Sequence, residues 1–262
     1  DAQINCALCA GGSDEMFESW SEYDLERMKR MDAYIALRGS HNISEAMGIP
    51  ADRQQAYGKL YGAPVHMQQR LNHTKWCVLR WPTPSMAQLA GMNTEEFENF
   101  YFDVCTLDYS RMASAAEHLV MLMNTTDQVH IQGPGDTDLC FSIKDIPAEA
   151  CAGNMNIPDG EVFTAPVKDS VNGVIHYNTP SMYRGHSFKN IRLEFKDGKI
   201  VACTADQGAE FLDEIFNTDE GARFVGEFAI GFNPYIKEAM NDILFDEKIK
   251  GSLHFTPGNA YD

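Results

Sequence analysis

The chain has 262 residues, of which 44% are hydrophobic, so it is long and apolar enough to bury a sizeable core. Its formal net charge is -17, from 38 acidic and 21 basic residues. This excess of negative charge argues against a nucleic-acid-binding protein, which needs a positive patch, and it suits a protein that holds cations.

The first half of the chain is predominantly helical in pattern and contains two short strands. The apolar run at residues 33–37 ends at an Arg-Gly-Ser turn, and the run at residues 76–80 ends at a Trp-Pro pair, so both are predicted strands. Predicted helices occupy residues 52–70, a segment that begins at Asn93 or Thr94, and residues 109–123. The alternation of strands and helices predicts an α/β layer.

Strands dominate after a polar Asn-Thr-Thr-Asp stretch at residues 124–127, and we place a domain boundary near residue 125. An Asp-Gly pair at residues 197–198 predicts a hairpin. The glycine-rich segment 133–138 lacks the Lys-Ser/Thr of a phosphate loop and is predicted to be a turn. Predicted strands are 128–132, 139–143, 161–165, 173–177, 191–195 and 200–203, and predicted helices are 207–216 and 235–243.

The expected fold class is therefore α/β with two domains. The first, residues 1–125, is an N-terminal α/β layer domain, and the second, residues 126–262, is a C-terminal strand-rich α+β domain. The chain starts with Asp1 rather than Met, so we expect further sequence before it. No apolar run approaches the roughly 18 residues of a membrane span, and no signal peptide is visible, so no membrane partner is expected.

The seven cysteines are odd in number and irregularly spaced, which argues against a disulfide framework. Cys6 and Cys9 have the spacing of half a zinc motif, but no second pair follows. We therefore predict that all seven are free thiols in a reducing compartment, the cytoplasm.

Glu161 occupies an unusual place for a carboxylate. It follows a Pro-Asp-Gly turn in "NIPDGEVFTAP" and is the first residue of a β-branched, aromatic run that should be buried. Either Glu161 lies at a solvated strand end, or a cation neutralises it, because a lone buried charge costs several kcal/mol.

Glu227 and His254 have similar apolar surroundings. Glu227 lies in "RFVGEFAIGFNP", where simple alternation puts Val225 and Ala229 on its own face, and His254 lies in "GSLHFTPGNAY". Each residue alone also fits an ordinary structural role, but two Glu and one His together form a ligand set suited to Zn²⁺, Co²⁺ or Mn²⁺. The sequence contains neither His-Glu-x-x-His nor Gly-x-Ser-x-Gly, so common zinc-protease and serine-hydrolase signatures are absent.

Four blocks in this order, "GPGDTDL", "NIPDGEVFTAP", "FVGEFAIGFNP" and "ILFDEKIKGSLHFTPGNAY", resemble the signature blocks of the M29 family of metallo-aminopeptidases. The resemblance covers nearly all of residues 30–262 and is strongest after residue 125. It implies a two-domain α/β architecture, a homodimer, and two divalent metal ions bound in the C-terminal domain of each subunit.

Carried over by motif, the resemblance implies that Glu161, Glu227 and His254 are metal ligands. It places Glu247 at or near the metals and Tyr261 close to them. The family's last ligands, a His-x-Asp pair, follow the tyrosine, whereas this sequence stops at Asp262. Two ligands are therefore expected to be missing from this sequence, and we expect weak or no turnover from it alone.

The first hypothesis is a metal-dependent exopeptidase acting on peptides with a free N-terminus. Two metals would activate a water and polarise the scissile carbonyl, and Tyr261 would donate a hydrogen bond to the oxyanion. The substrate amine would bind one metal. The alternatives are a non-catalytic peptide- or metal-binding protein that retains the fold and a related metal-dependent amidase.

Overall fold

The computed structural model describes residues 2–39, 41–42, 44–183 and 186–260. The chain forms two compact units, the first ending at Met86 and the second beginning at Ala87. This division lies earlier than the boundary predicted near residue 125. The reason is that the helix before residue 125 contributes Ala116 and Met123 to the hydrophobic core of the second unit.

The first unit combines helices with a pair of parallel strands. Strand β1 (Ala33–Arg38) pairs with β2 (Lys75–Arg80) from Ala33 opposite Lys75 onward, which confirms the two predicted strands. The helical elements are α1 (Ala2–Gly11), α2 (Asp14–Met28), a 3₁₀ turn (Glu45–Gly48), α3 (Ala51–Tyr57), a π-helical stretch (Gly58–Arg70) and α4 (Leu71–His73).

Helix α5 (Pro84–Leu89) contains the boundary between the units. The other helices of the second unit are α6 (Thr94–Cys105), α7 (Tyr109–Thr125), α8 (Ala209–Phe216) and α9 (Ile243–Asp246). Helix α6 begins where the sequence predicts, because the Asn93 side chain accepts a hydrogen bond from the Glu96 backbone N–H at 2.9 Å.

The strands of the second unit form two main antiparallel sheets. The strands are β3 (Gln128–Gln132), β4 (Asp138–Ser142), β5 (Glu149–Cys151), β6 (Asn156–Ile157), β7 (Glu161–Thr164), β8 (Asn172–His176), β9 (Ser181–Tyr183), β10 (His186–Phe188), β11 (Arg192–Lys196), β12 (Lys199–Thr204), β13 (Val225–Gly231) and β14 (Leu253–Pro257). One sheet has five strands in the order β12-β11-β8-β4-β3, and the other has four in the order β14-β13-β7-β5.

The core of this unit lies where aromatic side chains of the two sheets meet. Phe141 of the five-stranded sheet packs against Phe228 and Phe255 of the four-stranded sheet, with ring centroids 5.0 Å apart in both pairs. Each sheet therefore has one apolar face toward the other. The opposite faces are free to carry polar groups.

Two local predictions have opposite outcomes. The hairpin at Asp197-Gly198 is confirmed, since both residues have positive φ, 49° and 81°, and Lys196 pairs with Lys199. The helix predicted over 235–243 is wrong, because side chains of Asn233 and Asp246 accept the backbone N–H groups of Tyr235 and Met240. These hydrogen bonds take the place of the i→i−4 hydrogen bonds of a helix, and within residues 235–246 only Ile243–Asp246 is helical.

Within the described ranges, none of the helices has the length and apolarity needed to cross a membrane.

Candidate metal centre

Strand register brings Glu161, Glu227 and His254 onto one face of the four-stranded sheet. On the central strand β13, Gly231 pairs with Glu161 of β7, and Ala229 pairs with His254 of β14. Glu227 lies two residues before Ala229, so its side chain projects from the same face. One ligand atom from each of Glu161, Glu227 and His254 lies within 4.8 Å of the others.

The orientation of Glu227 depends on a bulge that simple alternation does not predict. Val225 and Phe228 both belong to the core, although they are three positions apart, and the register with β14 shifts between Val225 and Glu227. Val225 therefore does not share the face of Glu227, contrary to the alternation argument. Gly226 permits this geometry, because a Cβ there would lie 2.0 Å from the Asn259 carbonyl oxygen.

His254 connects the two carboxylates of the cluster. Its Nε2 lies 2.6 Å from Glu227 Oε1, a hydrogen bond, and 3.4 Å from Glu161 Oε2. Burial by itself lowers the pKa of His254, but the hydrogen bond to Glu227 and the charge of Glu161 outweigh it, so the pKa is raised. Burial raises the pKa of Glu161 to about 7, against the opposing effect of a nearby lysine.

That lysine is Lys248, which the sequence analysis missed. Its side chain is fully buried, and its Nζ lies 3.0 Å from Glu161 Oε1 and 2.5 Å from Glu247 Oε2. Burial lowers the pKa of Lys248, but these two carboxylates outweigh it and hold the pKa above its usual value. Lys248 thus supplies a cation at Glu161, in addition to the metal that the family resemblance implies there. The available signal was a lysine next to Glu247 in the block "LFDEKIKG".

Glu247 and Tyr261 differ from the other candidate residues. Glu247 does not join the group formed by Glu161, Glu227 and His254, and it reaches Glu161 through the shared ammonium of Lys248. Its assignment as a ligand stays a prediction. Tyr261 lies outside the described residues.

A buried turn fixes the start of β7 and hence the position of Glu161. The carboxylate of Asp159, which is fully buried, accepts hydrogen bonds from the backbone N–H groups of Gly153 and Gly160. The buried Asn233 amide donates to the Asp159 carbonyl at 2.7 Å. Gly160 has φ 130°, and a Cβ there would lie 2.9 Å from the Asn233 Cβ. The sequence predicts this turn but not these hydrogen bonds.

The donors present fit a divalent cation. Glu161 Oε2 and His254 Nδ1 are buried without a hydrogen-bond partner. When Glu161, Glu227 and Glu247 are ionised and His254 is neutral, as a metal ligand must be, Lys248 offsets one of the three negative charges and two remain for a dication. Carboxylate oxygen and imidazole nitrogen suit Zn²⁺, Co²⁺ or Mn²⁺.

A cysteine also borders this centre. Cys151 of β5 is directly opposite Glu161 of β7, and its sulfur lies within 4.8 Å of a carboxylate oxygen of Asp159 and one of Glu161. Burial raises the pKa of the Cys151 thiol well above its usual value. The seven cysteines are all free thiols, which confirms that prediction.

The chain is similar to several known aminopeptidases. Aminopeptidase AmpS of Bacillus subtilis is 28% identical over 282 aligned positions, which cover 94% of this chain and 68% of that protein. Aminopeptidase T of Thermus aquaticus is 35% identical over 148 positions, which cover 51% of this chain and 35% of that protein.

The fold has a solved counterpart in wild-type AmpT from Thermus thermophilus. That structure aligns with a TM-score of 0.81 at 24% sequence identity and covers 97% of this chain. The chain spans 71% of the AmpT chain and 68% of AmpS. The likeness confirms the mixed α/β fold.

The family model described as thermophilic metalloprotease (M29) matches residues 1–262. The match therefore extends over both units, including the strands that carry Glu161, Glu227 and His254. The chain belongs to the M29 family of thermophilic metalloproteases, as its sequence motifs predict.

Proposed function

We propose that this chain is part of a metal-dependent aminopeptidase that removes N-terminal residues from peptides, with two divalent ions in its centre. The observation that carries the proposal is the convergence of Glu161, Glu227 and His254 on one sheet face, within 4.8 Å of one another. The membership of the chain in the M29 family and the aminopeptidase names of its relatives support the reaction class.

The side chains of the centre would bind the metal ions, hold the carboxylates in position and neutralise part of their charge. Glu161, Glu227 and His254 would bind the ions, and Glu247 would join them at the second. The ions would supply Lewis-acid polarisation of the scissile carbonyl and lower the pKa of a water toward about 7. Lys248 would keep the Glu161 and Glu247 carboxylates in place through its two contacts.

The charge of the centre favours a particular end of the substrate. Three carboxylates against one ammonium leave the centre negative, and the chain as a whole carries -17. A peptide with a free N-terminus presents a positive charge, which such a site attracts.

We also propose the cytoplasm as the location of the protein, since seven free cysteines are typical of a reducing compartment. Tyr261 remains the proposed oxyanion donor.

One observation favours a different interpretation, a non-catalytic protein with a structural ion-pair cluster. Lys248 already neutralises Glu161 in part without any metal. In that case Glu227 would serve only as the hydrogen-bond partner of His254. The two interpretations differ in what happens when the charge of Glu227 is removed.

The test is the Glu227→Gln variant, studied by calorimetric titration with Zn²⁺, Mn²⁺ and Co²⁺ and by hydrolysis of aminoacyl amides in the full-length protein. Gln keeps the shape of the side chain but is a poor ligand, so we expect metal affinity to fall at least about tenfold and turnover to fall by orders of magnitude. Chelation of the parent protein should abolish turnover. Glu149→Gln is the matched control, because Glu149 is an exposed residue on β5 of the same sheet.

Unchanged metal affinity and turnover in Glu227→Gln would contradict the proposal. An accompanying fall in melting temperature would then support the structural ion-pair cluster, since Gln leaves the buried His254 without its anionic partner.

A further inference from the structure

A second group of metal-ligating side chains lies on the five-stranded sheet. His130 of β3 and Asp138 and Cys140 of β4 are all exposed, and one ligand atom from each lies within 4.8 Å of the others. His130 Nε2 and Asp138 Oδ1 are 2.7 Å apart. This cluster shares no residue with the candidate metal centre.

The backbone holds these three side chains on one face. In the antiparallel pairing of β3 with β4, His130 is directly opposite Cys140, and Asp138 precedes Cys140 by two residues. The alternate residues Leu139 and Phe141 are buried in the core, which fixes the register. The ligand-bearing face cannot turn inward without exposing those apolar side chains.

The chemistry of the cluster selects a class of cation. We propose that His130, Asp138 and Cys140 form a binding site for a borderline divalent cation of the Zn²⁺ type. A thiolate, an imidazole and a carboxylate are the ligands that Zn²⁺ takes in proteins, whereas Mg²⁺ and Ca²⁺ prefer oxygen alone. Three protein ligands leave a fourth position open to water. Binding converts the Cys140 thiol to a thiolate, and its proton passes to the solvent.

The surrounding charges permit a cation at this site. The nearby Arg192 side chain is directed to other carboxylates, with Nε 2.7 Å from Asp136 Oδ2 and Nη1 3.6 Å from Glu194 Oε2. Asp138 supplies a negative charge to the cluster itself. The exposure of all three ligands gives an ion direct access from solvent.

The competing interpretation is an ordinary exposed His–Asp pair with an unrelated thiol beside it. The two interpretations differ at Cys140, because only a metal site needs its sulfur. Cobalt distinguishes them directly, since Co²⁺ bound to a thiolate has a near-ultraviolet sulfur-to-metal charge-transfer band that oxygen and nitrogen ligands do not produce.

The experiment is a Co²⁺ titration of the chain and three variants, kept reduced with a phosphine that does not bind the metal. We expect the band in the parent and its loss in Cys140→Ser. In His130→Ala the apparent Co²⁺ affinity should fall at least about tenfold. Cys151→Ser is the matched control, because Cys151 borders the other centre and its removal should leave the band unchanged.

Zn²⁺ added to the cobalt-loaded parent should displace Co²⁺ and remove the band. Absence of the band in the parent would overturn the proposal, as would its persistence in Cys140→Ser. Loss of the band in Cys151→Ser alone would place thiolate binding at the other centre and equally overturn it. Circular dichroism of each variant checks that the fold is retained, and His130→Ala provides an independent test of the same site.

Discussion

The candidate metal centre and the His130–Asp138–Cys140 cluster are built from similar ligand types on antiparallel sheets, and burial makes them physically different. The side chains of Lys248 and Glu161 are 0% and 7% exposed, whereas those of His130 and Asp138 are 51% and 66% exposed. In the buried cluster, charges can be neutralised only by one another or by a bound ion. In the exposed cluster, water and salt screen every charge.

This difference shows why the same kind of ion pair has different consequences in the two places. Removing one partner of a buried pair leaves an uncompensated charge in a medium that solvates it poorly. Removing one partner of an exposed pair leaves a charge that water solvates at once. Substitutions in each cluster can test this contrast.

The largest expected effect is that of Lys248→Met. Without the ammonium, Glu161 and Glu247 lose their shared cationic partner, and we expect the free energy of unfolding to fall by about 3–5 kcal/mol in the presence of a chelator. Chemical denaturation of the metal-free protein measures this change. Lys250→Met is the matched control, because Lys250 is exposed and two residues away, and it should change stability by less than about 0.5 kcal/mol.

A loss below about 1 kcal/mol for Lys248→Met would mean that water reaches the cluster and that the buried-pair description is incorrect. Zn²⁺ should restore part of the lost stability in Lys248→Met, because a cation that binds only the folded state stabilises it. Recovery of this kind would not be expected for a cluster that has no affinity for metal.

An intermediate effect is expected for Gly160→Ala in the turn before Glu161. The residue has φ 130°, and the new Cβ would lie 2.9 Å from the Asn233 Cβ, so we expect a loss of about 1–3 kcal/mol. Gly258→Ala is the control, since Gly258 has a similar positive φ, 123°, but no atom within 4 Å of a new Cβ. Thermal unfolding of both variants separates steric contact from backbone strain, and equal losses would exclude a steric role for Asn233.

The smallest expected effect is that of His130→Ala in the exposed cluster. We expect the free energy of unfolding to change by less than about 1 kcal/mol without metal, because the partner Asp138 is well solvated. Denaturation in chelator measures it under the same conditions as Lys248→Met. A loss comparable to that of Lys248→Met would remove the contrast between the two clusters.

Much of the local structure could be predicted from the sequence. The short strands were recognisable from apolar runs that end at turn residues, and the Asp197-Gly198 hairpin from a pair that tolerates positive φ. The helix predicted over 235–243 failed because Asn233 and Asp246 accept backbone N–H groups that a helix would use. The pattern of apolar residues does not reveal where side chains compete with the backbone for such hydrogen bonds.

The candidate ligands were also recognisable from sequence, since a carboxylate or imidazole inside an apolar strand needs a partner. Which partner each one has was decided only by the tertiary structure. The register of β13 with its neighbours sets the distances, the bulge at Gly226 turns Glu227 away from the core, and a separate segment brings Lys248 to Glu161. The sequence by itself determines which groups must be compensated, because that cost is local, but the compensating group comes from any part of the chain that folding brings into contact.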